Sequence, residues 1–138
     1  MAEALEFPTP AGASPPLGRY SHVVLAPAGR TAYVAGQLSV GADGSVVGRD
    51  DFGAQLRQVF DNWKSVLTAL GASFADVVKF TSYLVSSANI KDFYDVRTEI
   101  FSVIYPTGVY PANTLLVVRQ LVQEEFLVEI EGIVSLGS

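Results

Sequence analysis

The sequence predicts an α+β fold, a two-layer sandwich in which two helices cover one face of a mixed β-sheet. Three observations carry that expectation. Two segments have apolar residues at helical spacing, β-prone runs lie before, between and after them, and the resulting order is β-β-α-β-α-β-β. The 138 residues are 49% hydrophobic and 17% charged, which suits one domain around one core. Residues 1–17 read as a flexible Pro/Ala-rich lead-in, and residues 18–138 as the single domain.

His22–Leu25 and Thr31–Val40 read as two strands of a hairpin, joined across Ala-Pro-Ala-Gly-Arg. A second turn cluster, rich in Gly and Asp, begins at Val40. Leu56, Val59, Phe60, Trp63, Val66, Leu67 and Leu70 then form one apolar stripe over about four helical turns. Asp50 or Asp51 can cap the start of that helix, and Gly71 stands where a left-handed residue ends it. Asp76–Val85 is rich in β-branched and aromatic residues and reads as a buried strand.

Asn89 can cap a second helix carrying Phe93, Val96, Ile100, Phe101 and Ile104, which Tyr105-Pro106-Thr107-Gly108 ends. Asn113–Leu121 and Phe126–Leu136 are the last strands. A strand-helix-strand step needs a crossover, so parallel pairs accompany the hairpins. Both alternations of the last strands are apolar: Leu116 and Val118 with Leu115 and Val117, then Val128 and Ile130 with Leu127 and Ile133. A sheet with one wet face would be polar on one side. Two helices cover only one face, so the other is expected to pack on sister chains in an obligate oligomer; burial within the monomer is the competing reading.

Several function classes are disfavoured. There is no Cys, which removes thiol chemistry and is compatible with the cytoplasm, the expected location. One His, His22, makes neither a metal site nor a Ser-His-Asp triad an expectation, and no cofactor is expected. Net charge is −5 and no Lys/Arg cluster exists, which argues against nucleic acid as a partner. No apolar run reaches the roughly 20 residues of a membrane helix, and the N-terminus does not read as a secretory signal.

Glu129 and Glu131 share one face of the last strand, at a spacing of roughly 6.5–7 Å. Flanked by apolar residues, such a carboxylate can be desolvated, which raises its pKa and suits it to general acid-base work. The same pattern also suits a solvated or amide-bonded pair.

The placed motifs resemble the Rid/YjgF family. Tyr20-Ser21-His22 is similar to its P-Y-S-x opening, and Tyr33-Val34-Ala35-Gly36-Gln37-Leu38 to its V-S-G-Q-x strand. Gln55–Leu70 resembles its long helix, and Asp76-Val77-Val78-Lys79 its D-V-V-K strand start. Pro111-Ala112 and Glu129–Val134 resemble its P-A-R-S and E-I-E-A-I-A segments. The resemblance implies a chorismate-mutase-like fold and a homotrimer with small-molecule clefts between subunits. Its deaminating members hydrolyse enamines and imines to keto acids and ammonia, with an arginine on the substrate carboxylate and a glutamate handling protons.

By that resemblance Glu129 is the candidate catalytic residue, and Tyr20, Gly36, Asn113 and Thr114 are candidate substrate-binding residues. The family arginine falls on Asn113, a neutral amide that cannot neutralise a carboxylate. Altered specificity is therefore expected, or else a non-catalytic ligand-binding or regulatory trimer. Arg119 should sit about 20 Å along the same strand, while Arg30 or Arg49 would have to reach in from loops. The family has also been described as endoribonucleases, which the acidic charge disfavours.

Overall fold

In the computed structural model, which describes residues 4–137, two helices lie on one face of a four-stranded mixed sheet. The elements in chain order are β1 (Arg30–Gln37), α1 (Phe52–Ala69), β2 (Val77–Leu84), α2 (Ile90–Ile104), β3 (Ala112–Val117) and β4 (Val128–Gly137). Strand order across the sheet is β1-β4-β2-β3. The long C-terminal strand β4 pairs antiparallel with both β1 and β2, and the α2 crossover makes β2 and β3 parallel. Among the described residues, no helix is long and apolar enough to cross a membrane.

Two expectations need correction. His22–Leu25 is not a hairpin partner of β1. Leu25 instead exchanges backbone hydrogen bonds with Glu6 at 2.8 and 3.0 Å, so the lead-in supplies the pairing that the hairpin would have supplied. β1 is an edge strand that pairs with β4 alone, and among the described residues no strand lies on its other edge. Strand β3 also stops at Val117, so Arg119 lies in an exposed loop rather than along the strand.

Local chemistry explains both helices. Asp51 is the N-cap of α1, its carboxylate accepting from the Ala54 amide at 3.0 Å. Gly71 ends the helix at φ +69°, where it and Ala72 donate back to Thr68 and Leu67. Asn89 occupies the N-cap position of α2, but its amide reaches the Asp92 side chain rather than a backbone amide.

The α1 stripe buries Leu56, Val59, Phe60, Trp63 and Leu67 against the sheet. Phe80 of β2 is held edge-on between Trp63 and Phe60, with centroids at 5.0 and 5.8 Å. Trp63 also reaches β4, where its indole N–H donates to the Ile130 carbonyl at 3.0 Å. Its ring lies directly on Gly132: a Cβ there would come within 2.7 Å of the indole and 2.8 Å of the Lys79 carbonyl. This contact assigns Val128, Ile130, Gly132 and Val134 to the helix side and leaves Glu129, Glu131 and Ile133 on the other face.

The polar residues of α1 fasten the loops around that arrangement. Buried Gln55 donates to the Gly48 and Glu125 carbonyls at 3.1 and 2.8 Å and accepts from the Leu127 amide at 2.9 Å, at the entry to β4. Asn62 donates to the carbonyls of Leu38 and Val40, securing the exit from β1. Both side chains satisfy backbone groups that would otherwise be buried unpaired.

Gly132→Ala should destabilise the protein by about 1–3 kcal/mol, because the methyl group meets the indole and a backbone carbonyl at once. Gln55→Leu should cost a comparable amount, roughly 1–3 kcal/mol, by orphaning buried backbone groups. Urea unfolding followed by circular dichroism measures both, and stability equal to the parent in either variant would contradict the packing described.

Candidate functional site

The helix-free face of β4 presents Glu129 and Glu131 side by side, and the neighbouring strands decide their surroundings. In register, Glu129 stands across from Tyr83, which itself pairs with Leu116, while Glu131 stands across from Thr81, which pairs with Thr114. The Tyr83 hydroxyl donates to the Glu131 carboxylate, and this bond raises the phenol pKa above its usual value. Glu129 is half-buried; burial first, and the charge of Glu131 second, push its carboxyl above the ordinary carboxylate range. A shallow cavity of about 360 Å³ opens beside them, bordered by Tyr83, Gln120, Leu121 and Val122.

Gly36 belongs to the same cluster. β1 is irregular in register against β4 between Val34 and Gln37, and the bulge brings the Gly36 backbone onto Glu129. An ideal Cβ at Gly36 would sit 1.9 Å from Oε1 of Glu129. The missing side chain therefore makes room for the carboxylate. Thr114 is exposed on this same face, in the Glu131–Thr81 row.

Asn113 and Tyr20 lie elsewhere. Asn113 is paired with Phe80, so its side chain shares the helix side of the sheet, where Oδ1 accepts from the buried Ser82 hydroxyl at 2.9 Å. Within one protomer Asn113 and Glu129 are on opposite faces. Tyr20 ends the bend Leu17–Tyr20, its hydroxyl accepting from the Leu17 amide at 3.2 Å and its ring meeting His22 edge-on. Ser21 then bridges to Ala112, so Tyr20 and Asn113 share the N-terminal corner of β3. His22 is exposed with Nε2 at 2.6 Å from the Ser14 carbonyl oxygen.

Of the arginines weighed for a compensating role, Arg30 is exposed at the start of β1 and Arg49 is paired with Glu125 at 3.4 Å. The sequence reading overlooked Arg97. It lies on the apolar stripe of α2, one turn from both Phe93 and Phe101, and is 2% exposed. Its guanidinium stacks over Phe93, Tyr94 and Phe101 at 4.7, 5.1 and 5.5 Å. Burial pulls its pKa down to about 10, so it is still charged at neutral pH. Each ring face returns roughly 0.5–2 kcal/mol, against a desolvation penalty of several kcal/mol for a buried ion. A cation in the middle of an aromatic helix stripe was the signal available in the sequence.

Comparison with known proteins follows the same pattern of elements. The endoribonuclease L-PSP family model matches residues 11–136. A RutC family protein of Pyrococcus horikoshii is 32% identical over 118 residues, covering 86% of this chain and 87% of its own. A 2-iminobutanoate/2-iminopropanoate deaminase of Dermatophagoides farinae is 30% identical over 119 residues, with 86% and 87% covered. The crystal structure of YyfB from Yersinia pestis, a Rid-family protein of unknown function, superposes with a TM-score of 0.84 at 34% identity, over 96% of this chain and 99% of that one.

The raised Glu129 pKa fixes the sign of a pH effect. Between its unfolded and folded values the native state holds the proton more tightly, so this group's contribution is best at low pH and is lost as pH rises through the folded value. Glu129→Gln should therefore gain stability over the parent at pH 7 and gain less near pH 4, as measured by thermal melts at both. A pH-independent difference would contradict a desolvated carboxyl. Gly36→Ala should remain folded yet displace the Glu129 side chain, so that the stability gained by Glu129→Gln at pH 7 over pH 4 shrinks in that background in the same thermal melts.

Proposed function

The chain belongs to the endoribonuclease L-PSP family, also called the Rid/YjgF family, and from that premise we propose that it is a small-molecule hydrolase acting on enamines, imines or related carbonyl compounds. The observation that carries this reading is Glu129, a carboxyl held above its ordinary pKa at the edge of a cavity, seated on a glycine backbone that leaves it room. Such a group keeps its proton to higher pH than a solvated carboxylate, which suits it to general acid-base work.

The chemistry balances with that one residue. Protonated Glu129 gives its proton to the enamine carbon, producing the iminium ion and leaving Glu129 as the carboxylate. Its carboxylate then takes a proton from water as the oxygen adds to the C=N carbon. Returning that proton to nitrogen expels ammonia, and the hydroxyl proton passes back to the carboxylate as the carbonyl forms, regenerating the protonated Glu129. Gly36 seats the carboxylate, and Thr114 supplies a hydroxyl on the same face.

Tyr20 and Asn113 complete the site in this proposal, from a neighbouring subunit of a homotrimer. The helix-free face supports assembly: Tyr33 is 80% and Leu116 44% exposed there, an arrangement an isolated monomer has little reason to keep. Asn113, engaged by Ser82 and neutral, supports altered specificity relative to arginine-bearing enzymes. The same engagement favours a second reading, a trimer that binds a small ligand without turnover. A nucleic-acid substrate is disfavoured by 14 acidic against 9 basic residues.

Ammonia release from 2-aminoacrylate, generated in place by a pyridoxal-phosphate enzyme, tests the proposal. We expect a rate well above the spontaneous one, falling at least about a hundredfold in Glu129→Gln, the usual scale of general acid-base catalysis. The spontaneous rate with both proteins removes the deaminase reading, and ligand-dependent stabilisation without turnover would favour the binding trimer. Sedimentation equilibrium should give three times the 14.7 kDa chain mass.

A further inference from the structure

Tyr83 of β2 stands directly across from Glu129 in the antiparallel register, while the residue opposite Glu131 is Thr81. The Tyr83 hydroxyl nevertheless passes over its own row partner. It reaches along the diagonal and donates to Oε1 of Glu131. Diagonal neighbours on one face of an antiparallel pair are within reach of an aromatic side chain. Tyr83, Glu129 and Glu131 are all half-buried. The bond to Glu131, then burial, then the charges of both carboxylates raise the phenol pKa, so Tyr83 stays a donor.

The surroundings of Glu129 offer it no comparable bond. From β1, Gly36 faces it with bare backbone, and Tyr33 lies further along, beside Ile133. From β2 the facing groups are Tyr83, committed to Glu131, and Lys79, which also pairs with Ile133, so that Glu131 lies between it and Glu129. The loop after β3 brings Gln120, which is neutral, to the cavity edge. Burial first and the charge of Glu131 second act on Glu129, and no hydrogen bond is among the causes. The two carboxylates are thus unequal: a bond from a neutral donor favours the ionised form of its acceptor, and Glu131 has such a donor where Glu129 has none.

We propose that Tyr83 is a positioning residue of the acid-base site: by giving its hydroxyl to Glu131 it holds that side chain as the anion of the pair and assigns the transferable proton to Glu129, at the cavity edge. This assignment rests on the proposed hydrolase reading and deepens it. Glu129 opens the reaction as an acid, so the proton must sit on it rather than on its neighbour two residues away. Tyr83 acts through Glu131 and touches no reacting atom. Its ring packs on the face that carries both carboxylates, so one side chain shapes the crevice and settles which carboxyl is charged.

NMR titration of the glutamate side-chain carboxyls in the full chain tests the assignment. Tyr83→Phe keeps the ring and removes the hydroxyl. Glu131 is then free to share the proton, the charge opposing ionisation of Glu129 weakens, and Glu129 should titrate at lower pH than in wild type. Glu131→Gln should lower it as well, and Tyr83→Phe should add nothing in that background, the non-additivity of a residue that acts through another. In the ammonia-release assay, the limb on which kcat falls with rising pH should move the same way in Tyr83→Phe, with kcat above it reduced by up to about fivefold, the scale of one hydrogen bond. A merely structural tyrosine would change thermal stability and leave both titrations in place. A Glu129 titration unchanged in Tyr83→Phe, or a shift undiminished in the Glu131→Gln background, would overturn the proposal. Should Tyr83→Phe fail to fold, an unchanged Glu129 titration in Glu131→Gln overturns it alone. The NMR measurement needs no turnover, which separates the two readings: a shift without ammonia release supports the proton assignment and removes the hydrolase, whereas turnover without a shift removes the role of Tyr83 alone.

Discussion

The seating of Trp63 on Gly132 is the contact on which the rest of the molecule depends. One side chain fills the space a Cβ would need on β4, caps the Ile130 carbonyl and packs edge-on against Phe80 of β2. It thereby locks α1 to the two central strands and sets which alternation of β4 faces the helices. A shift of one residue would send Glu129 and Glu131 into an apolar core and Ile130 to the surface, at a cost no other contact could offset. The position of the acidic pair is thus a consequence of core packing.

Two charged centres result, of opposite sign and on opposite sides of the sheet. On the open face, Glu129 is crowded against Gly36 and Glu131, and Tyr83 gives its hydroxyl to Glu131. Burial, and then the charge of Glu131, raise the Glu129 pKa above the ordinary carboxylate range. On the helix side, Arg97 is buried among rings without an acceptor. Each centre stores an electrostatic cost in the unliganded protein, and a ligand or a sister chain that met the unmet need would be bound by the relief of it.

The open face bears on the first of these centres. Exposed Tyr33 and Leu116 flank the acidic pair on a sheet whose strands already satisfy one another's backbone groups, so what remains there is side-chain surface suited to packing. If sister chains cover it, as proposed, the crevice beside Glu129 becomes drier, and desolvation of that carboxyl deepens. Assembly and acid-base function would then be coupled through the same apolar residues.

Periodicity alone determined the two helices, the sheet they cover and the shared face of Glu129 and Glu131, because spacing of 3.6 or 2 dictates which side chains point together. It likewise marked Asp50 or Asp51, and Gly71, as the ends of α1, since capping is local chemistry, and the structure settles the N-cap on Asp51. Pairing partners were not legible. Leu25 met Glu6 instead of β1, and β4 slid between β1 and β2, because strand order is settled by competition among distant segments. The tertiary structure alone decided that Gly36 yields its space to Glu129, that Asn113 turns away from that carboxyl, and that Arg97 is enclosed without a partner. Those facts depend on how residues far apart in the chain crowd and desolvate one another, and burial is a property of the folded whole that no single segment carries.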